Sequence, residues 1–103
     1  MTLTRRFHPD AELELEAAVE WYEDQQPGLG GEFLELVEES LELILEWPRI
    51  APVFPGWDRA PVVRTQTVAR FPYRALYYLT DHELMFVAFA HNRRKPDYWK
   101  DRV

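Results

Sequence analysis

Residues 62–99 read VVRTQTVARFPYRALYYLTDHELMFVAFAHNRRKPDYW, and the way this stretch divides decides the fold. Polar and apolar residues alternate over 62–70. This places Arg64, Gln66, Val68 and Arg70 on one face and Val63, Thr65, Thr67 and Ala69 on the other, as in a strand exposed on one side. Residues 73–80 and 84–90 are nearly continuous apolar runs separated by Asp81-His82-Glu83. That pattern predicts a tight hairpin whose strands are covered on both faces. After Asn92 the pattern breaks, Pro96 blocks regular extension, and residues 97–103 amount at most to a terminal helical turn.

Working back from these strands, Pro48, Pro52, Pro55, Gly56 and Pro61 mark residues 48–61 as a loop, with Phe54 and Trp57 as its apolar anchors. A helix is predicted over 29–47. Leu36, Leu43, Trp47, Phe33, Ile44, Val37, Leu41, Leu34 and Leu45 fill an arc of about 200° at 100° per residue, and six glutamates fill the rest. One neighbour does not cover an arc that wide. The helix should therefore meet both a partner helix and a sheet, or offer a surplus stripe to another chain. An earlier helix begins after His8-Pro9, with Asp10 and Glu12 in its first turn and Ala11, Leu15, Ala18 and Tyr22 at helical spacing, and Gln26-Pro27-Gly28 ends it. Residues 3–7 form a short first strand. The expected fold class is α+β: a short N-terminal strand, an antiparallel helical hairpin, then three antiparallel strands completing a sheet, with the hairpin on one face and the other face partly open.

Length and composition allow this. A chain of 103 residues suits a single domain, 1–103, and 47% hydrophobic residues with four Trp supply a core. Cysteine is absent, so disulfides and thiolate metal sites are excluded. His8, His82 and His91 fall on different elements, so no metal site and no cofactor are expected. The first residues, Met1 to Phe7, lead directly into acidic ones with no apolar leader, and no run approaches membrane-spanning length. The expected setting is cytoplasmic, with no membrane partner.

The net charge of −6 hides a segregation. Residues 1–48 carry thirteen acids against two arginines, and residues 49–103 carry ten Lys or Arg against five acids. A basic end thus follows an acidic one, and binding is sought at the basic end. Arg64, Arg74, Arg93, Arg94 and Lys95 are expected to gather on one rim of the sheet as a binding patch. On the second helix, Leu36, Leu43 and Trp47 lie at the edge of the apolar arc, where an amphipathic partner segment would dock. His91 is read first as a structural hydrogen-bonding residue and Trp99 as core.

The chain resembles the RelE/ParE toxins of type II toxin–antitoxin systems, also called plasmid stabilisation proteins, over almost its whole length. The likeness rests on Phe7-His8-Pro9-Asp10-Ala11, Glu20-Trp21-Tyr22-Glu23, Pro27-Gly28-Leu29-Gly30, Arg70-Phe71-Pro72-Tyr73-Arg74 and residues 90–99. It implies a growth-inhibiting toxin neutralised by a cognate antitoxin, which would occupy the surface around Leu36, Leu43 and Trp47. A homodimer and a toxin–antitoxin hetero-oligomer are the assemblies it admits. The family divides between cleavage of messenger RNA at the ribosome and poisoning of DNA gyrase without cleavage. For a nuclease, Arg64, Arg93, Tyr98 and His91 are the residues to hold phosphate and move protons. The nuclease branch also uses lysines on earlier strands, whereas the only lysines here are Lys95 and Lys100. The resemblance therefore points first to a non-enzymatic gyrase inhibitor, second to a ribosome-dependent mRNA endonuclease, and third to a non-toxic member acting as an interaction protein.

Overall fold

Pro9 cannot extend a β-ladder but suits the first turn of a helix, so the chain leaves its first strand there. The computed structural model describes residues 3–103, and Met1 and Thr2, which enter the reading of the N-terminus, lie outside them. Strand β1 spans Thr4–Phe7, and α1 spans Pro9–Gln25 with His8 as its N-cap, whose Nδ1 accepts from the Asp10 amide at 3.1 Å. Helix α2 spans Leu29–Glu46. Gly28, at φ 91°, takes the left-handed conformation that the reversal needs, and the Glu23 carboxylate accepts from the Gly28 and Gly30 amides at 2.9 and 3.1 Å. A carboxylate from the last turns of α1 thus caps the start of α2.

Strands β2 (Arg64–Thr67), β3 (Tyr73–Leu79) and β4 (Glu83–His91) follow, then a single 3-10 turn at Lys100–Arg102. The sheet order is β1-β4-β3-β2, with β1 parallel to β4 and the other pairs antiparallel. The α+β class, the helical hairpin and the strand run are as the sequence predicts. No helix among the described residues is long and apolar enough to cross a membrane.

Strand β2 is shorter than the alternation over 62–70 suggested. Arg70 turns the chain at φ 68°, and the Val68 amide closes the turn on the Tyr73 carbonyl at 2.9 Å. In β4 the register skips a residue, since Leu76 pairs with Ala88 and Tyr77 with Phe86, leaving Val87 unpaired in a bulge. The bulge changes which residues face the helices. Leu84, Phe86 and Phe89 join the core beneath α1 and α2, whereas Val87, Ala88 and Ala90 join a second cluster on the opposite face.

That second cluster corrects the expectation of a partly open face. Trp99, 1% exposed, lies against Val63, Leu76 and Val87, and Phe54 and Trp57 of the proline-rich loop pack on its ring at 5.0 and 5.2 Å. The sheet is therefore a middle layer, covered by the helical hairpin on one side and by the loop and C-terminal segment on the other.

The helices approach closely at Gly30, where an added Cβ would lie 2.6 Å from the Val19 carbonyl oxygen; at Gly31 it would meet nothing within 4 Å. Gly30→Ala is expected to lower the unfolding free energy by about 1–3 kcal/mol through backbone overpacking. Gly31→Ala is expected to leave it unchanged or raise it by up to about 1 kcal/mol. Denaturant titration of the two variants against the parent checks both.

Candidate functional site

β1 ends at Phe7 while β4 continues to His91, so the upper half of the β4 edge has no strand beside it. Backbone groups left there must find other partners. The His8 amide takes the Phe86 carbonyl at 2.9 Å, Arg102 Nη1 donates to the Val87 carbonyl at 3.0 Å, and the Phe89 amide donates to Glu14 Oε1 at 3.1 Å. Side chains from α1 and the C-terminal turn thus complete the edge that β1 leaves.

Glu14 is the centre of this arrangement. Besides the Phe89 amide it receives a forked pair from Arg102, Nη1 to Oε1 at 2.9 Å and Nη2 to Oε2 at 3.1 Å, and the Tyr98 hydroxyl donates to Oε2 at 2.7 Å. The side chains of Arg102 and Glu14 are only 15% and 16% exposed. A carboxylate accepts about four such bonds, so this one is satisfied and its charge is compensated. The C-terminal segment is held against α1 as a result.

The same bond decides the chemistry of Tyr98. Burial and the donation to Glu14 both push its phenol well above the ordinary tyrosine range, so its proton stays in place, directed at a carboxylate of its own chain. The Tyr98 ring serves instead as a platform, with the Arg94 guanidinium 4.0 Å from its centroid. His91 is similarly engaged, its Nδ1 accepting from the Arg93 amide at 3.0 Å and its ring edge-on to Tyr73 at 5.1 Å.

The expected basic rim forms only in part. Arg74, Arg94 and Lys95 border one small depression of about 100 Å³ together with Asn92, whose Oδ1 accepts from Arg74 Nε at 3.2 Å. Arg93 is exposed at the adjoining turn. Among the described residues no carboxylate lies within 4 Å of Arg74, Arg93, Arg94 or Lys95, whereas Arg5 pairs with Glu38 and Glu42, Arg6 with Glu83, and Arg102 with Glu14. Arg64 does not join the rim. It pairs with Tyr77 in the ladder and so shares the helix-side face, while Arg74, paired with Ala90, lies on the other. Its Nη1 donates to the Ala51 carbonyl at 2.8 Å and the Arg49 carbonyl at 3.3 Å, pinning the loop after α2. The placement of Arg64 beside Arg74 is therefore corrected: neighbouring strands bring the two close in sequence order, but the register sends them to opposite faces.

On α2 the expected trio also divides. Leu36 packs against the core, whereas Leu43 and Trp47 are 40% and 56% exposed, joined by Leu34 at 38%. Leu34 and Leu43 border a shallow groove with Glu35, Glu38, Glu39 and Glu42. Leu36, partly buried, packs against the helix-side core instead of lying at the open edge. The described residues hold no group of three or more His, Cys, Asp or Glu arranged to take a metal ion.

Sequence reasoning missed Glu14 and Arg102. The signal was present for Glu14, which lies three residues after Ala11 and four before Ala18, a charge at the margin of an apolar stripe; nothing marked Arg102 as its partner.

A first strand, two helices and three further strands in a mixed sheet make an α+β fold like that of the RelE/ParE toxins. A chain of the chromosomal ParDE TA system from P. aeruginosa is similar with a TM-score of 0.71 at 18% identity, over 87% of this chain and 96% of that one. A mutant of the E. coli toxin RelE in the free state is similar with a TM-score of 0.69 at 19% identity, over 100% of this chain and 99% of that one. No family model matches the chain, and no curated protein sequence matches it.

The raised Tyr98 pKa has a measurable consequence. Below pH 10 the phenol is protonated in both folded and unfolded chains, so its contribution to stability is full; above pH 10 the unfolded chain releases the proton first, and stability falls as pH rises. Tyr77, buried and pushed up to about 12 by desolvation, acts in the same direction. Unfolding measured from pH 9 to 11.5 should show this decline, with a shallower slope in Tyr98→Phe. Equal slopes in variant and parent would mean that burial and the bond to Glu14 do not raise the phenol.

Proposed function

We propose that this chain is the toxin of a toxin–antitoxin pair and that it acts by binding a cellular target, DNA gyrase, rather than by cutting RNA. The likeness of fold to a ParDE chain and to RelE, each covering most of both chains, supports the toxin reading. The binding reading is carried by one observation: the Tyr98 hydroxyl, one of the two groups the sequence offers to move a proton, donates to Glu14 at 2.7 Å. Cleavage through a 2′-hydroxyl needs a base and an acid free to reach the substrate, and here the phenol faces inward. Arg74, Arg94 and Lys95, with Arg93 beside them, form a cationic surface suited to holding an anionic target. The exposed Leu43 and Trp47 form the surface assigned to the antitoxin.

Induction of the gene in bacteria tests this. DNA breaks and an SOS response are expected, and they should persist in a His91→Ala, Tyr98→Phe double variant but vanish in Arg94→Glu, Lys95→Glu. Translation arrest with cut transcripts, abolished by the first double variant, would instead establish the ribosome-dependent nuclease. Normal growth would leave a non-toxic interaction protein. Co-expression of the small open reading frame beside the gene should restore growth, and a Leu43→Asp toxin should escape that rescue while keeping its melting temperature nearly unchanged.

A further inference from the structure

Arg64 gathers an apolar surface that the end of α2 and the proline-rich loop leave bare. Its guanidinium donates to the Arg49 and Ala51 carbonyls, which flank Ile50, and Val53 sits directly across from it in an isolated antiparallel bridge. Val62, two residues before Arg64, shares its face by strand alternation. The Ile50 amide closes a turn on the Trp47 carbonyl at 3.0 Å. Trp47, Ile50, Val53 and Val62 are 56%, 62%, 40% and 49% exposed, and they make up half of the eight large apolar residues that stand exposed among the described residues. Such a concentration around one arginine is a patch, unlike the scattered apolar residues that any surface carries.

Three features identify what covers it. Pro52 and Pro55, on either side of Val53, cannot donate to a ladder, so this edge does not take an added strand and the contact is made by side chains. The patch is uncharged, and its margin holds one acid, Glu46, and one base, Arg49, both exposed and neither within 4 Å of an opposite charge among the described residues. A nucleic acid or a strongly charged protein meets no matching field there. A second copy does, because a two-fold axis through the patch sets Glu46 of each copy against Arg49 of the other and makes one surface complementary to itself. Glu46 also closes α2, whose last turn holds no basic residue and whose negative end disfavours a carboxylate, so a cation from another copy offsets that repulsion. The exposed apolar area is on the order of 400 Å² per copy, about half of a standard interface, which sets the strength of pairing as weak and reversible.

We infer that Trp47, Ile50, Val53 and Val62 form a two-fold contact through which two copies of this chain pair, with Glu46 of each copy on Arg49 of the other. Trp47 also belongs to the surface assigned to the antitoxin, whereas Ile50, Val53 and Val62 do not, and the test therefore falls on these. Pairing is measured on the isolated protein. A toxic chain that stays monomeric refutes only the pairing, and a harmless chain that pairs refutes only the toxin reading.

Sedimentation equilibrium of the parent between about 10 µM and 1 mM should show reversible exchange between monomer and dimer, with a dissociation constant of about 10–500 µM. Ile50→Asp and Val62→Asp should each weaken pairing at least tenfold. Leu13→Asp, at a position equally exposed on α1, should leave it within twofold of the parent. Glu46→Arg and Arg49→Glu each set like charges against one another and should weaken self-pairing at least threefold, whereas an equimolar mixture of the two should associate at least as tightly as the parent. In a dilution series the amide shifts should fall on Trp47, Ile50, Val53 and Val62, which tests the face without any variant. The inference is overturned if the parent stays monomeric over that range, if Leu13→Asp weakens pairing as much as Ile50→Asp, if the mixture associates no better than either variant alone, or if the shifts fall elsewhere.

Discussion

The carboxylate of Glu14 is the point on which the C-terminal half of this structure depends. A parallel strand that stops at Phe7 leaves the β4 edge bare for its last residues, and an unpaired backbone amide or carbonyl buried there costs about as much as a lost hydrogen bond. Glu14 and Arg102 supply those bonds from side chains. In doing so they draw the C-terminal segment back across the sheet, so that Trp99 closes the second core cluster and Arg94 comes to rest on the Tyr98 ring. Packing, edge completion and the position of the basic residues all follow from one ion pair with 15% and 16% of its side-chain surface exposed.

This constraint also sorts the charges. The sequence is divided into an acidic front and a basic back, but the arginines are not equivalent once folded. Arg5, Arg6 and Arg102 are tied to carboxylates, and Arg64 to backbone carbonyls. Among the cations without a carboxylate within 4 Å in the described residues, Arg74, Arg93, Arg94 and Lys95 are set around the end of β4. The Tyr98 hydroxyl, meanwhile, is committed to Glu14 of its own chain.

Much of the architecture was legible in advance because periodicity reports burial. The apolar runs at 73–80 and 84–90 could only be strands covered on both sides, the Pro9 and Pro27-Gly28 breaks bound the first helix closely, and Trp99 behaved as the core residue its type suggested. Register was not legible. The unpaired Val87 shifts the facing of everything after it, and the opposite facing of Arg64 and Arg74 depends on which residues sit across the ladder, information that alternation within one strand does not carry. The apolar arc of α2 likewise shows that surplus surface exists without showing where the neighbours stop, so of the edge residues Leu36 packs inward while Leu43 and Trp47 stay exposed. Glu14 and Arg102 are 88 residues apart, and only the fold brings them together.

Amide hydrogen exchange at Phe89, compared between the parent and Glu14→Ala, tests this account most directly. If the carboxylate stands in for the missing strand, the Phe89 amide should lose more than tenfold of its protection beyond the general decline seen at Leu76 and Tyr77 in the same sheet. A Phe89 amide that exchanges no faster than those two, once the change in global stability is removed, would contradict the account.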